Sequence, residues 1–131
     1  MIKIEETGFR SGRILDFSTA AKKISKFKEL NKTVGLCHGG FDLLHPGHIK
    51  HLESAAGLCD LLFVSVTSDR FVESRKGRGR PIFSAKLRAY SIASLEYVDY
   101  VVISDFEQAT DVLERLKPSY YIKGPDFVNK T

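Results

Sequence analysis

Short apolar runs alternate with longer amphipathic segments along the chain. Four runs predict strands, at residues 33–37, 60–67, 99–103 and 119–122, because they are rich in large apolar residues and too short for buried helices. Four other segments predict helices, since their apolar residues recur at helical spacing. Their apolar faces are marked by Ile24, Phe27 and Leu30; by Ile49, Leu52 and Ala56; by Leu87, Ile92 and Leu95; and by the short segment 110–116.

Local signals indicate where these helices begin and end. Ser18 or Thr19 is expected to cap the first helix, and Pro46 is expected in the first turn of the second. Ser84 is expected to cap the third helix. The fourth must stop ahead of Pro118, because the residue before a proline avoids helical backbone angles.

Apolar strands that alternate with helices predict a parallel sheet covered by helices on both faces. Right-handed crossovers make this a Rossmann-like α/β fold, with ligands at the C-terminal ends of the strands. A length of 131 residues suits a single domain. We divide it into an N-terminal arm and helix, residues 1–31, and the α/β domain proper, residues 32–131.

Composition narrows the class of protein. No apolar run approaches the roughly 20 residues that span a bilayer, and the first ten residues are too polar for a secretory signal. Two cysteines are too few for a disulfide framework. These features favour a protein of the reducing cytoplasm, with no membrane partner.

The net charge of +4 is concentrated in one stretch. Residues 70–80 contain one acid, Glu73, and five cations: Arg70, Arg75, Lys76, Arg78 and Arg80. A Gly-interrupted basic loop suits either a small polyanion or plain solvent exposure. It lacks the interleaved aromatic residues that single-stranded nucleic acid stacks on, so nucleic acid is not an expected partner.

Candidate chemistry concentrates between His38 and His48. The first five residues of this segment predict a turn, in which Gly39 and Gly40 let the backbone approach a ligand closely. A helix N-terminus follows, with free N–H groups and a partial positive charge. His45 and His48 are three residues apart, so both imidazoles point the same way. Gly47 leaves room between them, and the whole segment predicts a cradle for a triphosphate.

Other readings of these residues weigh less. His45, His48 and His51 suggest zinc, but successive steps of three drift around a helix, and no Cys or carboxylate completes a ligand set nearby. We therefore expect no metal site and interpret His51 as a bystander. A short acid in a tight turn usually binds backbone N–H groups, so Asp42 is expected to hold the shape of its loop.

The segment GGFDLLHPGH resembles the GxFDxxHxGH signature of the cytidylyltransferase-like nucleotidyltransferases, a superfamily related to class I aminoacyl-tRNA synthetases. The resemblance covers about residues 33–128 and is closest to the domain that activates heptose 1-phosphate for bacterial surface polysaccharides. Glycerol-phosphate and ethanolamine-phosphate cytidylyltransferases are more distant. Further matches follow in order at Ser68-Asp69, Lys76-Gly77, Arg80-Pro81, Arg88, residues 94–102 and residues 122–127.

The resemblance implies roles for the matching residues. His45 and His48 would contact the triphosphate and stabilise the transition state, and Lys76 would fold over the substrates. Its neighbours Arg75, Arg78 and Arg80 are alternatives for that last role. The implied nucleotide-binding residues are Gly39, Gly40, Phe41, His45, Gly47, His48, Arg88, Gly124 and Asp126.

The implied reaction is nucleotidyl transfer. An oxygen of a sugar phosphate would attack the α-phosphorus of ATP or CTP, and pyrophosphate would leave with Mg²⁺, the implied cofactor. Two alternatives stay open: a cytidylyltransferase for a polyol phosphate such as glycerol 3-phosphate, and a non-catalytic nucleotide-binding module. A homodimer is a further expected association, because dimers are common among similar proteins.

One family feature is not found in this sequence. The family carries a Ser/Thr-rich third motif near its C-terminus, and none precedes Thr131. We therefore expect the chain to be truncated at its C-terminus, a piece of a longer protein. Some relatives are fused to a sugar kinase.

Overall fold

A five-stranded parallel sheet forms the centre of the computed structural model, which describes residues 1–124. The strands are β1 (Ile14–Leu15), β2 (Val34–Gly39), β3 (Leu61–Thr67), β4 (Tyr100–Ser104) and β5 (Tyr120–Tyr121). The helices are α1 (Phe17–Glu29), α2 (Pro46–Ala56), α3 (Asp69–Lys76), α4 (Ala85–Ala93) and α5 (Ala109–Leu116). The predicted single-domain, Rossmann-like architecture is confirmed.

The order of strands across the sheet is β1-β4-β3-β2-β5. From β2 the chain moves outward through β3 and β4, then returns to place β5 on the other side of β2. Such a reversal opens a crevice beyond the C-terminal ends of the central strands, where ligands of open α/β sheets bind. In this protein the crevice lies between the ends of β2 and β5.

Two apolar layers hold the helices on the sheet. One face carries α2 and α4 over a cluster that includes Leu52, Val64 and Ile92. The other carries α1 and α5 over a cluster that includes Ile24 and Phe63. These side chains are at most 1% exposed, and burial of this kind supplies most of the free energy of folding. No helix within residues 1–124 is long and apolar enough to cross a membrane.

The N-terminal region differs from the prediction in three details. Residues 14–15 form β1, a two-residue edge strand beside β4 that was not predicted. The first helix begins earlier than expected, because the carboxylate of Asp16, rather than Ser18 or Thr19, caps it and accepts the N–H of Thr19 at 2.7 Å. Leu30 lies beyond the last helical residue and is 59% exposed, so it is not part of the apolar face.

Two other local predictions are corrected. The basic stretch 70–80 is not simply a loop, because α3 extends through Lys76 and packs its one buried residue, Val72, on the body of the protein. Gly77 and Gly79 then take positive φ angles, which glycine tolerates best. The turn that was predicted to begin at His38 begins two residues later, because His38 and Gly39 still belong to β2.

The proposed boundary between residues 31 and 32 lies in the connection from α1 to β2. Residues 1–9 contain neither helix nor strand and run along the segment that precedes α4. The N–H of Ile2 donates to the carbonyl of Ile82 at 2.7 Å, and the rings of Phe9 and Tyr90 meet edge to face at 5.2 Å.

Candidate active site

The start of α2 fixes two histidines against each other. Pro46 occupies the first turn, where its missing N–H is no loss, and His45 is the N-cap. The Nδ1 atom of His45 accepts the N–H groups of Gly47 at 3.0 Å and His48 at 3.4 Å. In return, the backbone N–H of His45 donates to Nδ1 of His48 at 3.2 Å. The predicted common direction of the two imidazoles is confirmed.

This capping arrangement determines what the rings offer to a ligand. The imidazoles stack with their centroids 3.8 Å apart and an interplanar angle of 21°. Because Nδ1 of each ring accepts a backbone N–H, the neutral form of each ring carries its proton on Nε2. The pair therefore places two ring N–H groups at a helix N-terminus, where the helix dipole favours anions. The backbone N–H groups that the sequence predicted to be free there, those of Gly47 and His48, are bound by His45.

The environment keeps His48 uncharged. Burial, followed by the nearby charges of His45, Lys76 and His51, lowers the pKa of His48 to about 4. The rings of Phe41 and His48 pack edge to face, with their centroids 5.4 Å apart. Near neutral pH His48 is therefore a hydrogen-bond donor and not a cation.

Asp42 holds the loop before α2 in place. The residue is only 2% exposed. Its carboxylate accepts hydrogen bonds from Nε–H of Arg80 at 2.7 Å and from the backbone N–H of Ile82 at 2.8 Å. Burial raises the pKa of Asp42, but the hydrogen bonds from Arg80 and Ile82 outweigh it and leave the pKa below its usual value. Asp42 therefore has a structural role, as expected, but its carboxylate ties the loop to the segment that precedes α4 rather than to N–H groups of its own turn.

Lys76 lies at the end of α3, with its Nζ atom 2.6 Å from the carbonyl oxygen of Asp42. Arg80 donates to the same carbonyl. Lys76 is close enough to His48 to lower its pKa by charge, but it does not line the cavity described below.

Arg88 is buried and binds the backbone of the loop between β2 and α2. It is 3% exposed, and its Nη1 atom donates to the carbonyls of Gly40 at 2.7 Å and Thr67 at 2.8 Å. Its Nε and Nη2 atoms bind the carbonyl of Phe83 and the carboxylate of Asp69. Every nitrogen of the guanidinium thus has a partner within the protein, so Arg88 joins the ends of β2 and β3 to α4.

A cavity of about 590 Å³ opens at the reversal point of the sheet. This volume falls in the range of small-molecule sites, about 300–1,000 Å³. Its floor is the end of β2, one side is the start of α2, and the other is the start of α5. The lining residues are Cys37, His38, Gly39, Gly40, Phe41, His48, His51, Arg75, Gln108, Ala109, Thr110, Tyr121, Lys123 and Gly124.

The comparisons with known proteins match this geometry. A family model described as cytidylyltransferase-like matches residues 36–131, which include most of β2, the paired histidines and all the described lining residues of the cavity. The chain belongs to the cytidylyltransferase-like family. It is thus a domain of the nucleotidyltransferase class, and the histidines of its signature segment are the pair at the start of α2.

Several curated relatives within this family carry the name bifunctional protein HldE. The protein from Nitrobacter hamburgensis is 41% identical over 106 residues, which are 81% of this chain and 22% of the relative. The protein from Aliarcobacter butzleri is 38% identical over 120 residues, 92% of this chain and 25% of the relative. The chain therefore spans about a quarter of the length of these relatives.

A solved structure shares the fold. The lipopolysaccharide core biosynthesis protein from Thermoplasma volcanium matches with a TM-score of 0.63 and 28% sequence identity. The match covers 69% of this chain and 72% of that chain. A lipopolysaccharide protein among the structural neighbours agrees with the surface-polysaccharide resemblance of the sequence.

The structure brings most of the family's implied site residues to one place. Gly39, Gly40, Phe41, His48 and Gly124 line the cavity. His45 and Gly47 form the helix N-terminus beside it, whereas Lys76 and Arg88 lie behind the loop. Asp126 lies outside the described residues. The functional roles of these residues stay predictions.

Sequence reasoning missed the other wall of the cavity. Residues 108–110 at the start of α5 carry no motif, and Tyr121 was interpreted only as part of a strand. Lys123 could have been found from the sequence, because it lies next to Gly124 in the segment 122–127 that matches the family. His51 is no bystander in position, because it lines the cavity and its ring lies 3.0 Å from where a Cβ on Gly124 would stand.

His38 enters the cavity from the floor. Its Nδ1 atom lies 2.6 Å from Oγ of Ser65 on β3. Burial, followed by the charge of Arg75, lowers the pKa of His38 to about 4, so this imidazole is also neutral near pH 7. His38 and His48 therefore both line the cavity as neutral, polar imidazoles near pH 7.

Within residues 1–124, no group of three or more His, Cys, Asp or Glu side chains is arranged to hold a metal ion. The carboxylate of Asp42 is occupied by Arg80 and Ile82. Mg²⁺ prefers oxygen ligands and is commonly held through the phosphates of its substrate. A magnesium ion that arrived with a nucleotide would be held by its phosphates, and its role in this protein stays a prediction.

Proposed function

We propose that this protein transfers a nucleotidyl group from a nucleoside triphosphate, ATP or CTP, to a sugar phosphate of the heptose 1-phosphate type. The products are a nucleotide-activated sugar and pyrophosphate. The observation that carries the proposal is the stacked pair of His45 and His48, with two Nε2–H donors at the N-terminus of α2 beside the cavity. The family and the HldE relatives support it.

The reaction is an in-line displacement at phosphorus. An oxygen of the acceptor phosphate forms a bond to the α-phosphorus, and the bond from that phosphorus to the bridging oxygen of the β-phosphate breaks. The electron pair leaves with pyrophosphate. A phosphate monoester has its second pKa near 6, so its oxygen needs no general base at neutral pH.

The site's contribution is then positioning and electrostatic stabilisation. The Nε2–H groups of His45 and His48 donate to triphosphate oxygens on which negative charge grows. The N-terminal dipole of α2 acts in the same direction. The neutral imidazole of His48 suits this task, because it donates without a change of protonation during the displacement.

The substrate is the Mg²⁺ complex of the nucleotide, with the ion bound by phosphate oxygens. A polyol phosphate is the alternative acceptor. Because nucleoside triphosphates are cytoplasmic metabolites, we place the protein in the cytoplasm. Homodimer formation stays a prediction.

Pyrophosphate release tests the proposal. ATP and CTP are each incubated with Mg²⁺ and with heptose 1-phosphate or glycerol 3-phosphate. We expect turnover with one nucleotide and the sugar phosphate, and a fall in kcat of about 10²–10³-fold in His48→Ala, the usual cost of one transition-state donor. Lys50→Ala is the matched control, because its side chain is on the same helix and 77% exposed.

Three other results would change the conclusion. Turnover with glycerol 3-phosphate alone would establish the polyol reading. Nucleotide binding without turnover, unchanged by His45→Ala and His48→Ala, would establish a binding module. Equal activity in His48→Ala and Lys50→Ala would remove the histidines from the mechanism.

A further inference from the structure

The positive charge that lines the cavity comes from two side chains. Among the described lining residues, Arg75 and Lys123 are the only lysine or arginine, and no carboxylate is present. His38 and His48 add no further positive charge near neutral pH, since their pKa values are both about 4. A cavity with two cations and no described acid suits an anionic ligand.

Arg75 and Lys123 come from opposite sides of β2. Arg75 is in the last turn of α3, which follows β3, and Lys123 follows β5. Arg75 reaches across to the loop before α5, where its Nη2 atom donates to the carbonyl of Glu107. Its charge affects the pKa values of both His38 and Tyr121, which places it over the end of β2.

The next residue along the helix is differently placed. Consecutive helical residues project about 100° apart. Lys76 accordingly binds the carbonyl of Asp42 behind the loop, whereas Arg75 lines the cavity. Of the cations between residues 70 and 80, Arg75 is thus the one in contact with the cavity.

The proposed reaction brings two phosphorylated molecules together. The donors of His45 and His48 lie at the α2 side of the cavity, and this is the side proposed for the triphosphate. The α5 side adds Ala109 and Thr110 from the first turn of a helix whose N-cap, Gln108, makes no side-chain capping bond. A second anion on this side would face the N-terminus of α5.

We propose that Arg75 and Lys123 bind the phosphate group of the acceptor, on the α5 side of the cavity. This inference rests on the proposed function and assigns a subsite within it. Two single positive charges match a phosphate monoester, which carries a charge of about −1.5 to −2 near pH 7. Holding that phosphate between both cations orients its attacking oxygen toward the triphosphate.

Direct binding measurements on the full chain test the subsite. Arg75→Gln and Lys123→Gln each remove a charge, and both side chains are exposed, so the fold should tolerate the changes. Arg78→Gln is the matched control, because it removes a charge from the same stretch but does not line the cavity. Calorimetry measures Kd for heptose 1-phosphate, for inorganic phosphate and for each nucleotide separately.

We expect Arg75→Gln and Lys123→Gln to weaken heptose 1-phosphate and inorganic phosphate about tenfold or more, the usual effect of a lost charged hydrogen bond. The nucleotide Kd should change much less, and Arg78→Gln should resemble the unmodified protein. Unchanged acceptor affinity, or a nucleotide Kd that rises by the same factor, would overturn the proposal. A thermal melt of each variant checks that it is folded.

Failure of the subsite and failure of the proposed function give different results. Turnover of a sugar phosphate with an acceptor KM that is insensitive to both substitutions overturns the subsite and leaves the function intact. Phosphate binding that depends on Arg75 and Lys123, without turnover of any substrate pair, supports the subsite and overturns the function.

Discussion

The neutral state of the half-buried His38 and His48 affects the stability of the protein as well as its chemistry. His38 and His48 both have pKa values of about 4 in the folded protein, because burial penalises their charged forms. In the unfolded chain each imidazole returns to a pKa near 6.5. Between these two values the unfolded chain binds more protons than the folded one, so acid favours unfolding.

The free energy of unfolding is therefore expected to decrease as the pH falls from about 6.5 to about 4. Over this pH range each histidine adds up to one to the difference in bound protons between the unfolded and folded states, which sets the slope of the free energy against pH. His38→Gln removes one group and should flatten the slope, which urea unfolding at a series of pH values measures. Equal slopes in the two proteins would show that His38 has the same pKa in the folded and the unfolded protein.

At the scale of elements, α4 depends on one buried cation. Arg88 joins this helix to the loop at Gly40, to the end of β3 at Thr67 and to Asp69 at the start of α3. The fork of the guanidinium reaches these partners in different directions, which a lysine ammonium cannot do. The position of the Gly40 carbonyl, and with it the cavity wall, therefore depends on Arg88.

Arg88→Ala is expected to lower the free energy of unfolding by about 3–5 kcal/mol, because the carbonyls of Phe83, Gly40 and Thr67 lose their donor at about 1–3 kcal/mol for each buried group left unpaired. Arg88→Lys should restore only a minor part of that loss. Chemical denaturation measures both variants. Lys86→Ala, at an exposed position of the same helix, is the control and should change stability by less than about 0.5 kcal/mol. A full rescue by lysine would show that charge alone, without geometry, is what α4 needs.

The sequence predicted the elements that carry an apolar run or a periodic apolar face, including the two-residue β5, and missed β1 and α3. Four strands and four helices were found because each has a continuous apolar run or a periodic face. The strand β1 has only two residues, Ile14 and Leu15, and its place is determined by pairing with β4, which no local pattern encodes. The helix α3 was hidden because its composition is strongly polar and Val72 is its only buried residue.

The same division applies to the candidate site. The paired imidazoles of His45 and His48 were predictable because a spacing of three at a helix start is local geometry. The support from Arg88 was not, since its partner Gly40 lies 48 residues away and a helical arginine is usually exposed. The wall at the start of α5 depends on the strand order, so only the assembled sheet shows it.

At the scale of the whole molecule, the cavity depends on how closely β5 approaches β2. Gly35 lies in β2 opposite Tyr120, and a Cβ atom there would stand 2.7 Å from Sγ of Cys59 and 2.9 Å from Cδ1 of Ile122. Those separations are too short for ordinary contact, so these side chains must move to admit a methyl group. Because Ile122 precedes Lys123, the disturbance would reach the cavity.

Gly35→Ala is expected to lower the free energy of unfolding by about 1–3 kcal/mol, the usual cost of overpacking. It should also speed amide hydrogen exchange at Ile122, whose N–H donates to the carbonyl of Leu36 at 2.9 Å. Gly8→Ala is the control, because a Cβ there meets nothing within 4 Å. If the two variants are equally stable, the contact between β2 and β5 tolerates more expansion than the packing indicates.

The pairing of β5 with β2 also matters while the chain is being made. Synthesis runs from the N-terminus, and the segment that covers the second edge of β2 is separated from it by about 85 residues, as in the bond from Val34 to Ser119. Until Tyr120 and Tyr121 leave the ribosome, one side of β2 presents unpaired backbone groups. An open apolar strand edge is a template for pairing with other chains. The strand that completes the cavity is therefore also the one whose arrival ends the period in which the nascent protein is most exposed to aggregation.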